Sequence, residues 1–470
     1  MTPALNLRRE PAQSKFDLGR RVGLAGRRVQ LAERELMHHT LLLGTTGSGK
    51  TTASLTILCQ AVLAGWGVIM VDLKGDPDNA AALAGAAADA DTTYSQFSFT
   101  PGERCDFWSP LSAGDPASRM SKVICLSSWT EPYYQSACER FAQLAFVLME
   151  RVGQEPSFEE LVSLLDKPVR LKRYAEILGP GERPSVDAYL DRLFEDRGQL
   201  SALAGLAARI GTLTDLGGPL RFPNATGTVD LAHLSEHGGV ACFSLNSARS
   251  AVAAAQIGSL AVLDIQSMVA KRIATGAITR PVMVCIDEFS ALDADHMLGL
   301  FARARSSRVA MVVATQELAD LARVREGFSD QILGLANNKL IMRQEVGTSA
   351  ETLARVIGTT NATKHTRQRI RGLVTTDTGV LSERDVEQYI IHPNIFRRLK
   401  TGEAVLLRKD PFRVERVNIT PQVAEPEIEA TTAAASEPIA VRPMPVAAPE
   451  EPSTVPSVAE LERLFPGRTL

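Results

Sequence analysis

The sequence predicts an α/β protein with a mainly parallel central sheet, an inserted all-helical domain and a disordered C-terminal tail. Three observations lead there. Residues 39–71 run apolar strand, apolar helix, apolar strand, a βαβ unit that requires parallel pairing. The strand signal vanishes from about Ser121 to Thr214 and returns at Gly239. Residues 421–470 are rich in Pro, Ala and Glu and hold nine of the 25 prolines, a composition that buries too little apolar surface to offset its ordering entropy.

Taken in order, residues 18–37 predict a short β-hairpin turning at Ala25-Gly26. His39–Leu43 is the next strand, Thr52–Ala64 an apolar helix ended by Gly65-Trp66-Gly67, and Val68–Val71 a buried strand followed by DLKGD. Amphipathic helices are expected at Tyr134–Glu150, Ser157–Leu165, Val186–Phe194 and Gln199–Leu213. Ser157 with Glu160 three residues on reads as a capping box. The α/β pattern resumes with strands at Gly239–Leu245, Val282–Ile286, Val309–Thr315 and Lys339–Arg343. Helices are expected at Ala251–Ile273, Met297–Ser306, Leu318–Glu326 and Ser349–Ile357. Glu403–Leu407 and Val414–Asn418 are expected to close the sheet as edge strands. The resulting segments are 1–120 (hairpin and first part of the sheet domain), 121–225 (helical insertion), 226–420 (second part of the sheet domain) and 421–470 (tail). At the tail's end Val458, Leu461, Leu464 and Phe465 make a short apolar face, read either as a docking peptide or as a frayed terminus.

Composition narrows the class. Hydrophobic content of 45% with 22% charged residues is that of a globular protein, no uninterrupted apolar run approaches the roughly 20 residues of a membrane span, and the polar N-terminus lacks a signal-peptide core. The six cysteines form no CxxC pair or Cys/His cluster, so a reduced, cytoplasmic compartment without structural zinc is expected. The net charge is −3, but the tail alone carries −5, which leaves a body of +2. Such a body binds DNA only through local basic loops.

The chemistry is concentrated in a few motifs. Gly44, Thr45, Thr46, Gly47, Ser48, Gly49, Lys50, Thr51 and Thr52 read GTTGSGKTT between a strand and a helix, the phosphate-binding P-loop pattern. Its backbone N–H groups and the helix N-terminus would hold ATP phosphates, Lys50 would reach the β- and γ-phosphates, and Thr51 would bind Mg²⁺. Hydrolysis also needs carboxylates. Asp287 and Glu288, after the apolar run VMVCI, would complete the Mg²⁺ shell and polarise water; a dipole-favoured helix start is the plain alternative. Gln316, at the tip of VAMVVAT, would sense the γ-phosphate or water, or else cap the next helix. Lys74 and Asp76 sit at the same end of a parallel sheet, where ligands bind. Arg303, Arg305 and Arg308 fit either a trans-acting arginine or a solvated helix face, and Arg343 is a weaker candidate for the trans role. Lys364, Arg367, Arg369 and Arg371 fit either a DNA-backbone contact or a solvated charge run.

Together, HTLLLGTTGSGKTT, VIMVDLKGD, the helical insertion, GVACFSLNS with its long helix, VMVCIDEFSAL, RARSSRVAMVVATQEL, Asn337–Gly358 and LKTGEAVLL resemble the conjugative coupling proteins, the DNA-transfer ATPases of type IV secretion within the FtsK/HerA superfamily. The resemblance spans roughly residues 30–420. It implies a RecA-like P-loop NTPase domain with Lys50 and Thr51 on Mg-ATP, Asp287 and Glu288 as hydrolytic carboxylates, and Gln316 as nucleotide sensor. It further implies a homohexameric ring around DNA, with the insertion facing a relaxase or another recruiting partner, and secretion-channel components nearby. Many coupling proteins begin with membrane-spanning helices and no span is read here. The options are a soluble variant, recruitment to the inner membrane by a separate subunit, or another branch of the superfamily. The alternative functions are a HerA-like DNA-processing translocase and a polypeptide-secretion ATPase.

Overall fold

The computed structural model describes residues 14–23, 26–98, 100, 102–127, 129–214, 228–276, 278–370 and 376–421, with the side chains of 364–384 outside that description. The expected tail, and Ala25 of the expected turn, fall outside the described residues.

Strands buried at every position include β3 (Thr40–Leu43), β4 (Gly67–Asp72), β6 (Gly239–Ser244), β7 (Val282–Asp287) and β8 (Val309–Thr315). Such near-continuous apolar runs suit a parallel sheet covered by helices on both faces. Together with β1 (Lys15–Arg21), β2 (Arg28–Ala32), β5 (Tyr94–Ser98), β9 (Asn338–Ile341), β12 (Glu403–Lys409) and β13 (Phe412–Ile419) they form one sheet. Its order is β2-β1-β13-β12-β9-β3-β8-β7-β4-β6-β5, parallel from β9 to β5 and antiparallel from β2 to β9. Register sets the chemistry: Asp72 faces Asp287 across β4–β7, and Leu43 faces Thr315 across β3–β8.

Two expectations change here. The segments at 403–407 and 414–418 are not edges; β12 lies between β9 and β13, and β13 between β12 and β1. The N-terminal hairpin docks outside β13, with Gly19 opposite Ile419, so the edges are β2 and β5. A Cβ on Gly19 would lie 2.1 Å from the Asn418 carbonyl oxygen, so only glycine permits this approach. The second change is an unforeseen pair, β10 (Thr359–Ile370) and β11 (Thr376–Tyr389), which form a separate two-stranded sheet.

Between β5 and β6 the described chain is helical: Pro116–Ile124, Pro132–Val152, Phe158–Asp166, Leu171–Ala175, Arg183–Glu195 and Arg197–Thr214. Their apolar stripes bury Phe141, Phe146, Leu161, Leu190, Leu206 and Ile210, continuous with the core on one face of the sheet. Ser157 Oγ accepts the Glu160 N–H at 3.2 Å, while the Glu160 carboxylate turns to the Tyr174 hydroxyl at 2.7 Å instead of closing the expected box. Helix Ala251–Thr275 ties this region to the sheet domain. Its Asp264 accepts from Lys122 Nζ at 2.9 Å and from Trp108 Nε1 at 3.0 Å, and Lys122 also donates to the carbonyls of Pro110 and Ala113. This helix has the length and apolarity of a membrane span by composition, yet it is mostly buried within the protein.

Candidate nucleotide site

The loop after β3 takes its shape from glycine. Gly47 and Gly49 have φ of 71° and 101°, in the region that favours glycine. A Cβ on Gly44 would lie 2.5 Å from Ser48 Oγ and 2.7 Å from Met342 Cβ. Helix Lys50–Leu63 follows directly, so its N-terminal N–H groups face the loop. Lys50 is buried at its first turn and donates to the Gly44 carbonyl and, at 3.4 Å, to that of Thr45. Burial, then the nearby Lys74 ammonium, lower the Lys50 pKa.

The tips of β4, β7 and β8 bring the polar groups to this loop. Asp287 ends β7, and burial raises its pKa against the pull of Lys74. Glu288 has a left-handed φ of 58°, an uncommon conformation for a side-chain-bearing residue, where the chain leaves the strand. Its carboxylate accepts from Gln316 Nε2 at 3.1 Å and from Ser290 Oγ at 3.2 Å. Gln316 in turn accepts from Thr46 Oγ1 of the loop at 3.3 Å. A cleft of about 830 Å³ opens beside Glu288 and Gln316, bordered by Asp293, Asp320 and Arg323.

Lys50, Asp287, Glu288, Gln316 and residues 44–52 therefore lie in one place, with Lys74 between the carboxylates. Asp76 instead caps helix Pro77–Asp89, accepting the Asp78 N–H at 3.0 Å. The arginine cluster lies elsewhere. Arg308 precedes β8, at the end opposite Thr315, and pairs with Glu33 at 2.7 Å; Arg303 and Arg305 are exposed at the end of helix Ala294–Ala304. These three do not meet the P-loop of their own chain. Arg343 does neighbour it, because its carbonyl accepts the Thr45 N–H at 3.0 Å. For the basic run, Lys364, Arg367 and Arg369 lie on the backbone of β10 with side chains outside the description, and Arg371 lies outside the described residues.

Sequence reasoning did not find the contact at the loop's other flank. Thr401 Oγ1 donates to the Gly47 carbonyl at 3.0 Å, and the Gly402 N–H to that of Ser48 at 2.9 Å. No spacing rule connects residues about 350 positions apart.

A metal–nucleotide fits this donor set. Among the described residues no group of three or more His, Cys, Asp or Glu is arranged to hold a metal by itself. A hydroxyl at Thr51 and a carboxylate at Asp287 suit a magnesium ion that keeps several waters and arrives with phosphates.

Residues 18–104 match the family model for the central domain of the helicase HerA, and residues 281–401 match the model described as the TraM recognition site of TraD and TraG. The first match contains the P-loop, and the second contains Asp287, Glu288 and Gln316. Among solved structures, the bacterial conjugative coupling protein TrwB (TrwBdeltaN70, unbound form) is 14% identical with a TM-score of 0.59, over 86% of this chain and 89% of that one. TrwB in complex with ADP and Mg²⁺ is 13% identical with a TM-score of 0.56, over 84% and 88%. VirB4 of Thermoanaerobacter pseudethanolicus is 14% identical with a TM-score of 0.56, over 87% and 97%. At these identities the likeness is one of fold. No curated protein matches in sequence.

Proposed function

We propose that this protein is a relative of the conjugative coupling proteins within the FtsK/HerA superfamily, an ATP-hydrolysing DNA translocase that serves conjugative, type IV secretion DNA transfer as a homohexameric ring. The observation that carries the hydrolytic part is the chain of contacts Thr46–Gln316–Glu288 beside Asp287, which joins the P-loop to a second carboxylate that mere nucleotide binding does not need.

Bound Mg²⁺ would neutralise charge on the β- and γ-phosphates. The loop N–H groups and Lys50 would hold the phosphate oxygens, while the Thr51 hydroxyl and Asp287 would hold the metal. Glu288 orients the attacking water and accepts its proton, and Gln316 holds that carboxylate in line with the loop. Arg303, Arg305 and Arg308, which point away from their own site, are assigned to a neighbour's site in the ring. Residues 1–120 and 226–420 are read as the two parts of the ATPase domain. The insertion 121–225 is read as the surface for a relaxase or secretion-channel component, and work at the cytoplasmic face of the inner membrane accords with such partners. The HerA match over 18–104 supports one alternative, a DNA-processing translocase.

The test is the ATPase rate with no DNA, single-stranded DNA and double-stranded DNA, taken together with the oligomer mass. A ring stimulated by at least one DNA form is expected. A rate indifferent to both forms sinks the motor reading, even if ATP is hydrolysed.

A further inference from the structure

Lys74, in the loop after β4, has no part in the phosphate chemistry above, yet it contacts both carboxylates of the site. Its ammonium lies 3.5 Å from Asp287 Oδ2 and 3.3 Å from Glu288 Oε2, so one cation spans both carboxylates. The loop that carries it is rigidly mounted. The buried Asp72 carboxylate accepts from the N–H groups of Lys74 (2.9 Å), Gly75 (3.1 Å) and Asp76 (2.9 Å) and from Asn79 Nδ2 (2.8 Å). Gly75, at φ 68°, packs so closely that a Cβ would lie 2.5 Å from the Asn246 nitrogen. Burial disfavours the Lys74 charge, but Asp287 and Glu288 outweigh it and the net pKa is raised.

Two adjacent carboxylates at a strand tip offer the oxygen ligands and charge that attract a divalent cation. Here the ammonium offsets part of that charge and takes the facing oxygens. We propose that Lys74 is a positioning residue that keeps Asp287 and Glu288 closed to free divalent cations until nucleotide arrives. The inference rests on the ATPase reading of the same site. A triphosphate gives Lys74 a competing anionic partner, which frees Asp287 for the metal shell while Glu288 stays held by Gln316 and Ser290. Metal then enters with nucleotide and not before it.

The test titrates full-length, nucleotide-free protein with Mn²⁺ and follows the free ion by electron paramagnetic resonance. It compares wild type, Lys74→Met and Lys74→Arg. Lys74→Met is expected to bind one Mn²⁺ per chain about tenfold more tightly than wild type, with the arginine variant restored to wild-type behaviour. Binding of a fluorescent ATP analogue in EDTA should be kept by Lys74→Arg and weakened in Lys74→Met, which loses the ammonium that would meet the triphosphate, and Lys74→Met should also lower kcat. Equal Mn²⁺ binding by wild type and Lys74→Met overturns the proposal. Lys74→Gln serves as a second charge-removing variant should the Met variant unfold. Failure of every protein to bind the analogue would instead reject the nucleotide reading, and the Mn²⁺ titration still decides the role of Lys74.

Discussion

Lys50→Ala is expected to abolish ATP turnover, because Lys50 is the cation of the loop 44–52. Glu288→Gln should keep ATP binding while lowering kcat by on the order of 10²-fold or more, since an amide cannot accept the water's proton. Binding and single-turnover measurements separate the two, and normal turnover by Glu288→Gln would remove the general-base assignment. Lys339 offers a pH test away from the site. It is fully buried on β9, and burial followed by the nearby Lys409 charge holds its pKa down to about 7. Between about pH 7 and 10 the unfolded chain holds a proton there that the folded chain does not. Stability should therefore rise with pH across that window by about 1.4 kcal/mol per unit from this group, and the penalty is complete below it. Lys339→Met should remove that gain, as read by urea unfolding at pH 7 and 9; an equal slope in both proteins would refute the assignment. Residue types were legible in the sequence where a motif fixes them in adjacent positions, as at Gly44–Thr52 or Asp287-Glu288. Lys74 could be placed near the site, but its bridge to two carboxylates depends on the β4–β7 register. Thr401 lies in the quoted segment LKTGEAVLL, but nothing in that segment pointed to the P-loop.

Among the elements, buried strands and amphipathic helices were readable because period and apolar run length report them directly. β5 (YSQFS) was missed because it has one large apolar residue in five, and β10 and β11 because they are polar and form no part of the main sheet. Edge positions were misjudged for a different reason: which strand lies outermost is a non-local fact, decided here by β1 docking on β13. The joint between the helical section and the sheet domain is the buried Lys122–Asp264 pair with Trp108. Burial raises the Asp264 pKa, with Lys122 pulling the other way, so the carboxylate depends on its partner. Lys122→Met alone should cost about 3–5 kcal/mol by leaving a buried carboxylate unpaired, whereas Lys122→Met with Asp264→Leu should recover much of it. Chemical denaturation measures both, and an additive double variant would show that the pair is not coupled.

For the whole molecule, the arrangement of chemistry follows from one rule: in a parallel sheet, loops at the carboxyl ends of the strands share a surface. The P-loop, DLKGD, CIDE and ATQ segments all follow strands that run the same way, so their convergence could be anticipated from their order. The arginines before β8 lie at the other end for the same reason, away from the P-loop of their own chain. The proposed ring and its DNA rest on the ATPase and oligomer-mass measurements with DNA.

The pairing of Gly19 with Ile419 joins residues 400 positions apart, and the P-loop draws contacts from Thr401 and Gly402 in the same late segment. During synthesis the hairpin carrying Phe16, Leu18, Val29 and Leu31 must wait for that segment, on the order of 20–80 s at ordinary elongation rates. The growing chain therefore exposes an apolar ribbon, and lacks the Thr401 and Gly402 contacts of its P-loop, until residues 401–419 have been made.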